Sequence, residues 1–406
     1  MPQTGKSDEP VPSMFYRHDR KRVLVCVSRY LPGFKSGGPI RAISNMIARL
    51  SAQFEFFVVT RDRDATDRQP FPGIEHNRWH RVGDAQVFYC ASITSSVLLE
   101  ALRDAKPDLI HLNSFSDTLT RVLLWLRRMG KLDDIPVLLA PRGEFSAGAM
   151  RIRRTKKRLY GTLTKLVGLY DNLHWQVSTP IEEEELLQAS PARGLTSHSV
   201  HVVPEIFDAA VSSFHHPLKR AGTVTLAFIS RMSEKKNLHF LLDVLMEVRG
   251  DVAINLFGPV ADKDVPYWTL CQSYLHNLPA NIKAQYLGPL HHAMVPQTLR
   301  EHHFFVLPTK GENFCHAAVE SILNGTPVIL SDRTPWVNLS PARAGFDIPL
   351  TSRNEWIDAL QRCVDMDQKT YSTYLDGTRD YSCRFSIENA VQEHLTTFRA
   401  VLGQVV

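Results

Sequence analysis

The fold class that this sequence predicts is α/β, with two Rossmann-like halves, and three observations predict it. Short apolar runs alternate with helix-period segments along nearly the whole chain. The 406 residues, 44% of them hydrophobic, exceed what one ordinary core holds and suit two. Each half opens on an apolar run, a turn rich in glycine or charge, and then a helical segment, which is the opening unit of a Rossmann-like sheet.

In order, residues 1–20 are polar and charged and read as a disordered tail. Residues 22–28 (RVLVCVS) form a strand, and the turn YLPGFKSGGP follows. Residues 40–50 place Ile43, Met46, Ile47 and Leu50 on one helix face. Strands are expected at 54–60, near Trp79, and at 86–90, 109–112, 137–140, 175–178 and 200–204. Helices are expected at 94–104, 119–129, 151–165 and from Pro180, where early acids suit the helix dipole. A polar stretch with Pro217 marks the boundary, so the first half is 21–213 and the second 214–385. The second half reads as strands at 225–230, 253–257, 282–287, 304–307 and 327–330, with helices at 238–248, 267–278, 295–302 and 354–366. A last helix, 387–402, falls in a terminal segment, 386–406, expected to pack back on the first half.

Composition excludes several classes. The 17 His and 6 Cys form no CxxC, HExxH or HxH cluster, so no metal site is expected, and the scattered thiols read as core residues in a reducing compartment. No secretory h-region precedes residue 20, and no apolar run approaches the roughly 18 residues a membrane span needs. A net charge of +5 does not by itself imply nucleic acid. It is unevenly spread: residues 151–165 carry seven Lys or Arg and no acid. With Tyr160 as the one aromatic there, that run suits a solvated face or an anionic lipid or phosphate-bearing acceptor better than RNA.

The chemistry gathers in 311–336 (GENFCHAAVESILNGTPVILSDRTPW). Glu312 lies just before a helix, in the crevice where open α/β sheets bind ligands, and Glu320 lies about two turns into it. Amides around Asn313 to His316 at the helix start favour an anion, and a carboxylate beside them needs donors such as sugar hydroxyls. Arg231 and Lys236 (SRMSEKKNL) follow the second half's first strand, where two cations suit a diphosphate; spacing alone admits Lys235 in place of Lys236. Gly37-Gly38 let backbone approach a ligand, without GxGxxG spacing. Arg142 ends a strand in PRGE, and His111 and Asn113 end the strand before it; all three read as facing the crevice, with local capping as the plainer alternative.

These segments carry a resemblance. GENFCHAAVESILNGTPVILSD resembles the nucleotide-sugar motif of the GT4-type retaining glycosyltransferases of the GT-B fold, and FISRMSEKKNL resembles their phosphate segment. SGGPIRAISNMIARL is similar to their N-terminal glycine loop and helix, and PRGEFSAGAM with the later KK pair resembles a polysaccharide-assembly branch. The resemblance implies a GT-B architecture, two Rossmann-like domains facing each other across a cleft, with the acceptor on the first and the nucleotide sugar on the second. It implies that Glu320 binds the ribose and Glu312 orients the donor sugar. Arg231 and Lys236 would hold the diphosphate, Gly37 and Gly38 approach the phosphates, and amides near Asn313, Phe314 and Cys315 touch sugar or phosphate. The family usually has glycine where this chain has Asn313 and Cys315, and many members have a histidine near Arg142. The implied reaction is metal-independent, cofactor-free hexosyl transfer from a nucleotide sugar, UDP-linked by preference, to a glycan or lipid-linked acceptor, in the cytoplasm or at the inner membrane face. A nucleotide-sugar epimerase and a non-catalytic sugar-nucleotide binding protein are the competing readings. A nicotinamide dehydrogenase is disfavoured by the glycine spacing.

Overall fold

The computed structural model describes residues 20–132, 134–146, 154–207 and 216–404. The expected tail (1–19), the boundary residues 208–215 and the start of the basic run, 151–153, lie outside these, as do the side chains of 154–159.

The first half is an eight-stranded sheet: β1 (Lys21–Cys26), β2 (Phe54–Arg61), β3 (Trp79–Val82), β4 (Ala85–Cys90), β5 (Leu109–Asn113), β6 (Val137–Ala140), β7 (His174–Val177) and β8 (Val200–Val202). Its order is β3-β4-β2-β1-β5-β6-β7-β8, parallel except for β3 on β4. Helices α1 (Gly38–Leu50), α2 (Ser95–Ala105), α3 (Thr118–Arg128), α4 (Arg154–Leu166) and α5 (Pro180–Ala189) connect it. Both faces are covered, which explains why β1 is a nearly unbroken apolar run: Val23 and Val25 pack on one side, Leu24 and Cys26 on the other.

The second half is an all-parallel six-stranded sheet, ordered β11-β10-β9-β12-β13-β14. Its strands are β9 (Thr223–Ile229), β10 (Asp251–Phe257), β11 (Ile282–Tyr286), β12 (Phe304–Leu307), β13 (Val328–Ser331) and β14 (Gly345–Ile348). Helices α6 (Leu238–Leu245), α7 (Val265–His276), α8 (Val295–Arg300), α9 (His316–Leu323), α10 (Arg353–Asp365) and α11 (Gln368–Ser382) surround it. Two elements were not expected. Strand β14 is only four residues long and polar in part. Helix α11 has a polar sequence whose buried stripe is Tyr371, Tyr374 and Tyr381; the Tyr371 and Tyr381 hydroxyls donate to the carbonyls of His303 (3.0 Å) and Val337 (2.9 Å).

The last helix, α12 (Ile387–Val401), returns to the first sheet. Phe398 meets Phe54 edge-on at 5.4 Å, and Arg399 Nη2 donates to Gln53 Oε1 at 2.6 Å. The chain thus crosses between the halves twice. The crossings touch where Phe207 packs on Phe385, with 5.7 Å between ring centroids.

Strand order reverses between β1 and β5 in one sheet and between β9 and β12 in the other. Open α/β sheets bind ligands outside the strand ends at such switch points. The glycine loop follows β1, the 230–237 loop follows β9, and the 308–315 loop follows β12.

Candidate functional site in the cleft between the sheets

The two loops at the second sheet's switch point are tied together. Lys310 N donates to Lys235 O at 2.8 Å. Lys236 Nζ lies 2.5 Å from Glu312 Oε1, with side chains only 15% and 11% exposed, and Thr309 Oγ1 donates to the same oxygen at 2.8 Å. Burial pushes the Glu312 pKa up, but the Lys236 and Lys235 charges and these hydrogen bonds outweigh it and hold the carboxyl below its ordinary range. Arg231 is exposed at the mouth of the same loop. Gly258 makes room for that loop: a Cβ there would fall 1.7 Å from Ser230 O.

Cys315 caps helix α9 in a left-handed conformation, φ +64°. That geometry suits glycine, the residue the resemblance leads one to expect. Burial pushes its thiol up to about 12, so it is no nucleophile at neutral pH. Among the described residues, no acceptor is paired with the amides of Asn313, Phe314 and Cys315. The Phe314 side chain is buried against Phe207, Val319 and Leu323, and its carbonyl accepts from Trp336 Nε1 at 2.7 Å. Glu320, further along α9, lies 3.7 Å from His292 Nδ1.

The first sheet supplies the opposite wall. Arg142, at φ +56°, donates from Nε and Nη2 to Asn113 Oδ1 at 3.0 and 2.6 Å, and from Nη1 to Glu205. Burial would raise the Glu205 carboxyl, yet the Arg142 charge and the hydrogen bonds from Ser178 and Arg142 pull it well below the usual carboxylate range. Glu182 is held beside it by the amides of Gly143 (2.6 Å) and Ser178 (2.7 Å), and burial lifts its carboxyl to about 7.

The walls touch through several contacts. Asn313 Nδ2 donates to Ser178 Oγ at 3.1 Å, and Ser178 donates to Glu205 at 2.7 Å. A Cβ on Gly38 would come within 2.6 Å of the His316 ring, and one on Gly143 within 2.9 Å of Asn313 Cβ. Phe34, in the loop whose amides at Phe34 and Lys35 are held by Asp64, faces His291 at 5.4 Å. Burial drives the His316 imidazole down to about 4, the pull of Glu205 notwithstanding, so it is neutral at pH 7.

Residues 223–366 match the family model of the group 1 glycosyl transferases. The chain has the GT-B fold, and the match to that family model lies in its second half. Among solved structures it is similar to sucrose-phosphate synthase from Thermosynechococcus elongatus (TM-score 0.70, 16% identity, covering 95% of this chain and 100% of that one). It is also similar to Anabaena HepE in complex with UDP and glucose (TM-score 0.66, 15% identity, 94% and 100%). A third is a trehalose-6-phosphate protein from E. coli bound with UDP-2-fluoro glucose (TM-score 0.64, 14% identity, 95% and 100%). At these identities the likeness shows the GT-B fold. No curated protein sequence matches the chain.

Of the residues singled out from sequence, Gly37, Gly38, Asn113, Arg142, Arg231, Lys236, Glu312, Asn313, Phe314 and Cys315 lie on strand ends, loops and helix starts at the two facing edges, and Glu320 lies midway along α9 beside His292. His111 is a correction. It does not reach the crevice but is wholly buried beneath α12, 5.7 Å from the Phe398 ring, because odd-numbered β5 residues point to that face of the sheet. Sequence reasoning missed Glu205, Glu182, Ser178 and His316. Glu205, just past a strand end after Pro204, and His316, at the start of the donor-side helix, had position as a signal. Glu182 had none beyond its place in an acid run that also suits a helix dipole. Among the described residues, no group of three or more His, Cys, Asp or Glu is placed to hold a metal ion.

Proposed function

We propose that the protein transfers a sugar from a nucleotide-diphosphate donor, UDP-linked, to a hydroxyl of a glycan or lipid-linked acceptor in polysaccharide biosynthesis, without a metal and with retention at the anomeric carbon. The observation that carries this reading is the Lys236–Glu312 pair at a switch point, on the same segment as Glu320 and the open amides of Phe314 and Cys315. HepE and the E. coli protein are described with UDP, glucose or a UDP-sugar bound, which supports the choice of donor class.

In this reading Arg231, Lys236 and the α9 amides stabilise charge on the departing diphosphate. Glu320 takes the ribose hydroxyls and Glu312 orients the sugar. Arg142 commits three N–H donors to Asn113 and Glu205. A guanidinium has about five, so two remain for a ligand. The acceptor hydroxyl enters on the leaving-group face and gives its proton to a phosphate oxygen. Glu312 is not a covalent nucleophile, since its carboxylate is already engaged by a lysine and a threonine. Asn113 supports the acceptor side through Arg142. The protein acts in the cytoplasm, with the basic run 151–165 drawn to an anionic inner membrane face.

A thermal-shift screen across nucleotide sugars tests the reading. A ligand present at about 100 times its Kd stabilises by about 2.7 kcal/mol. Glu320→Ala is expected to erase most of the shift while leaving the unliganded Tm unchanged. No shift with any sugar nucleotide would overturn the reading, and product analysis with donor alone separates transfer from epimerisation.

A further inference from the structure

Five exposed large apolar side chains gather at the far ends of two neighbouring helices. Trp125 (45% exposed) and Met129 (56%) lie on or just past α3, and Leu163 (53%), Leu166 (75%) and Val167 (37%) on or just past α4. The spacings, 125/129 and 163/166/167, put each set on one helix face. Two ties fix how the helices lie. The Phe115 ring, three residues before α3, lies 5.9 Å from the Tyr160 ring, and near the other end Arg128 Nε donates to Val167 O at 3.2 Å. The helices therefore run side by side in the same direction.

The same face is cationic. Residues 118–132 and 151–170 contain no Asp or Glu, and Arg121, Arg128 and Lys131 are exposed, while Lys165 Nζ is held by Ser190. Bare apolar clusters ringed by charge mark interaction surfaces. A second copy is a poor occupant, because a two-fold contact would set this cationic face against itself. An anionic bilayer satisfies both parts: its interior edge takes the apolar side chains and its phosphates take the cations.

We propose that this two-helix face docks the protein on an anionic lipid surface. Trp125, Met129, Leu163 and Leu166 enter the headgroup layer, and Arg121, Arg128 and Lys131 meet its phosphates. The proposal goes beyond attraction of the basic run, since it assigns apolar anchors and brings in α3, which that run does not include. It rests on the sugar-transfer reading only for its purpose, to hold the enzyme at the surface where a lipid-linked acceptor would lie; the face itself is at the helix ends remote from the cleft. Docking itself is read without donor or acceptor.

The test is flotation of the full chain with phosphatidylglycerol-containing vesicles and with pure phosphatidylcholine vesicles. The protein is expected to float with the anionic vesicles only, less so at high salt. Trp125→Ser with Leu166→Ser should lower the partition at least about tenfold, while the UDP-induced thermal shift stays as in wild type. Leu166→Ser alone should give the same direction if the double variant folds poorly. Three results would overturn the proposal: no flotation of the wild type, flotation of the serine variants equal to wild type, or a dimer by light scattering that those variants dissolve. Flotation without any UDP-induced shift would instead sink the sugar-transfer reading and leave this one standing.

Discussion

Replacing Lys236 with methionine should destabilise the second half by about 2 kcal/mol. Removing one partner of a buried ion pair costs about 3–5 kcal/mol, because the other charge is left without compensation. Here the side chains keep 15% and 11% of their exposure and Lys235 remains near the carboxylate, so the cost falls below that range, to about 2 kcal/mol. For a unit of this size about 2 kcal/mol corresponds to a Tm loss of roughly 4–8 °C. Glu312→Gln should cost a similar amount, and the double variant should recover about 2 kcal/mol of the summed losses. The pH dependence has a definite sign. Since the folded Glu312 carboxyl lies below its ordinary range, its contribution is present above the unfolded pKa of about 4.3 and is lost as pH falls through the lower folded value. The advantage of wild type over Lys236→Met should therefore be constant near neutrality and shrink in acid. Thermal and urea unfolding of the four proteins at several pH values measure all of this. Additive losses in the double variant, or a gap that widens in acid, would refute the reasoning.

Cys315→Gly should change stability by less than about 1 kcal/mol, because relief of a left-handed residue, about 1–2 kcal/mol, offsets the lost burial of the thiol; unfolding curves would show a larger change if the conformation were not strained. Gly38→Ala puts a Cβ 2.6 Å from the His316 ring, so it should weaken UDP-sugar binding roughly tenfold by holding the walls apart, measured by calorimetry. Glu182, lifted to about 7 by burial, keeps its proton in the fold where the unfolded chain has lost it. Between about pH 4.3 and that value stability should fall as pH rises, with one proton more slope than Glu182→Gln, as urea titrations across that range would read.

The strands of both sheets were legible because buried parallel strands are short apolar runs, and the runs at 137–140 and 304–307 match β6 and β12 end to end. What escaped was hidden in ambiguous chemistry. Helix α11 hides its buried stripe in tyrosines, whose polar tips read as surface. On the site, Glu312, Lys236 and Cys315 were legible because charges and small residues at strand-to-helix turns have few other uses. Their pairing was not, since Lys236 joins Glu312 across 76 positions of sequence. Glu205 and Ser178 meet Asn313 only when the two halves come together, and no local pattern encodes that meeting.

The contact of Phe207 with Phe385 has a mechanical consequence. A single tether would let one lobe tumble on the other, whereas two connections pinned side by side leave a swing about the pin as the soft motion. Phe314 shares the apolar cluster at that pin with Phe207, and Phe385 packs against it, so the 308–315 loop sits on the bearing itself. Any push on that loop is felt at the pivot, where a small displacement turns into a large travel at the cleft's outer lips.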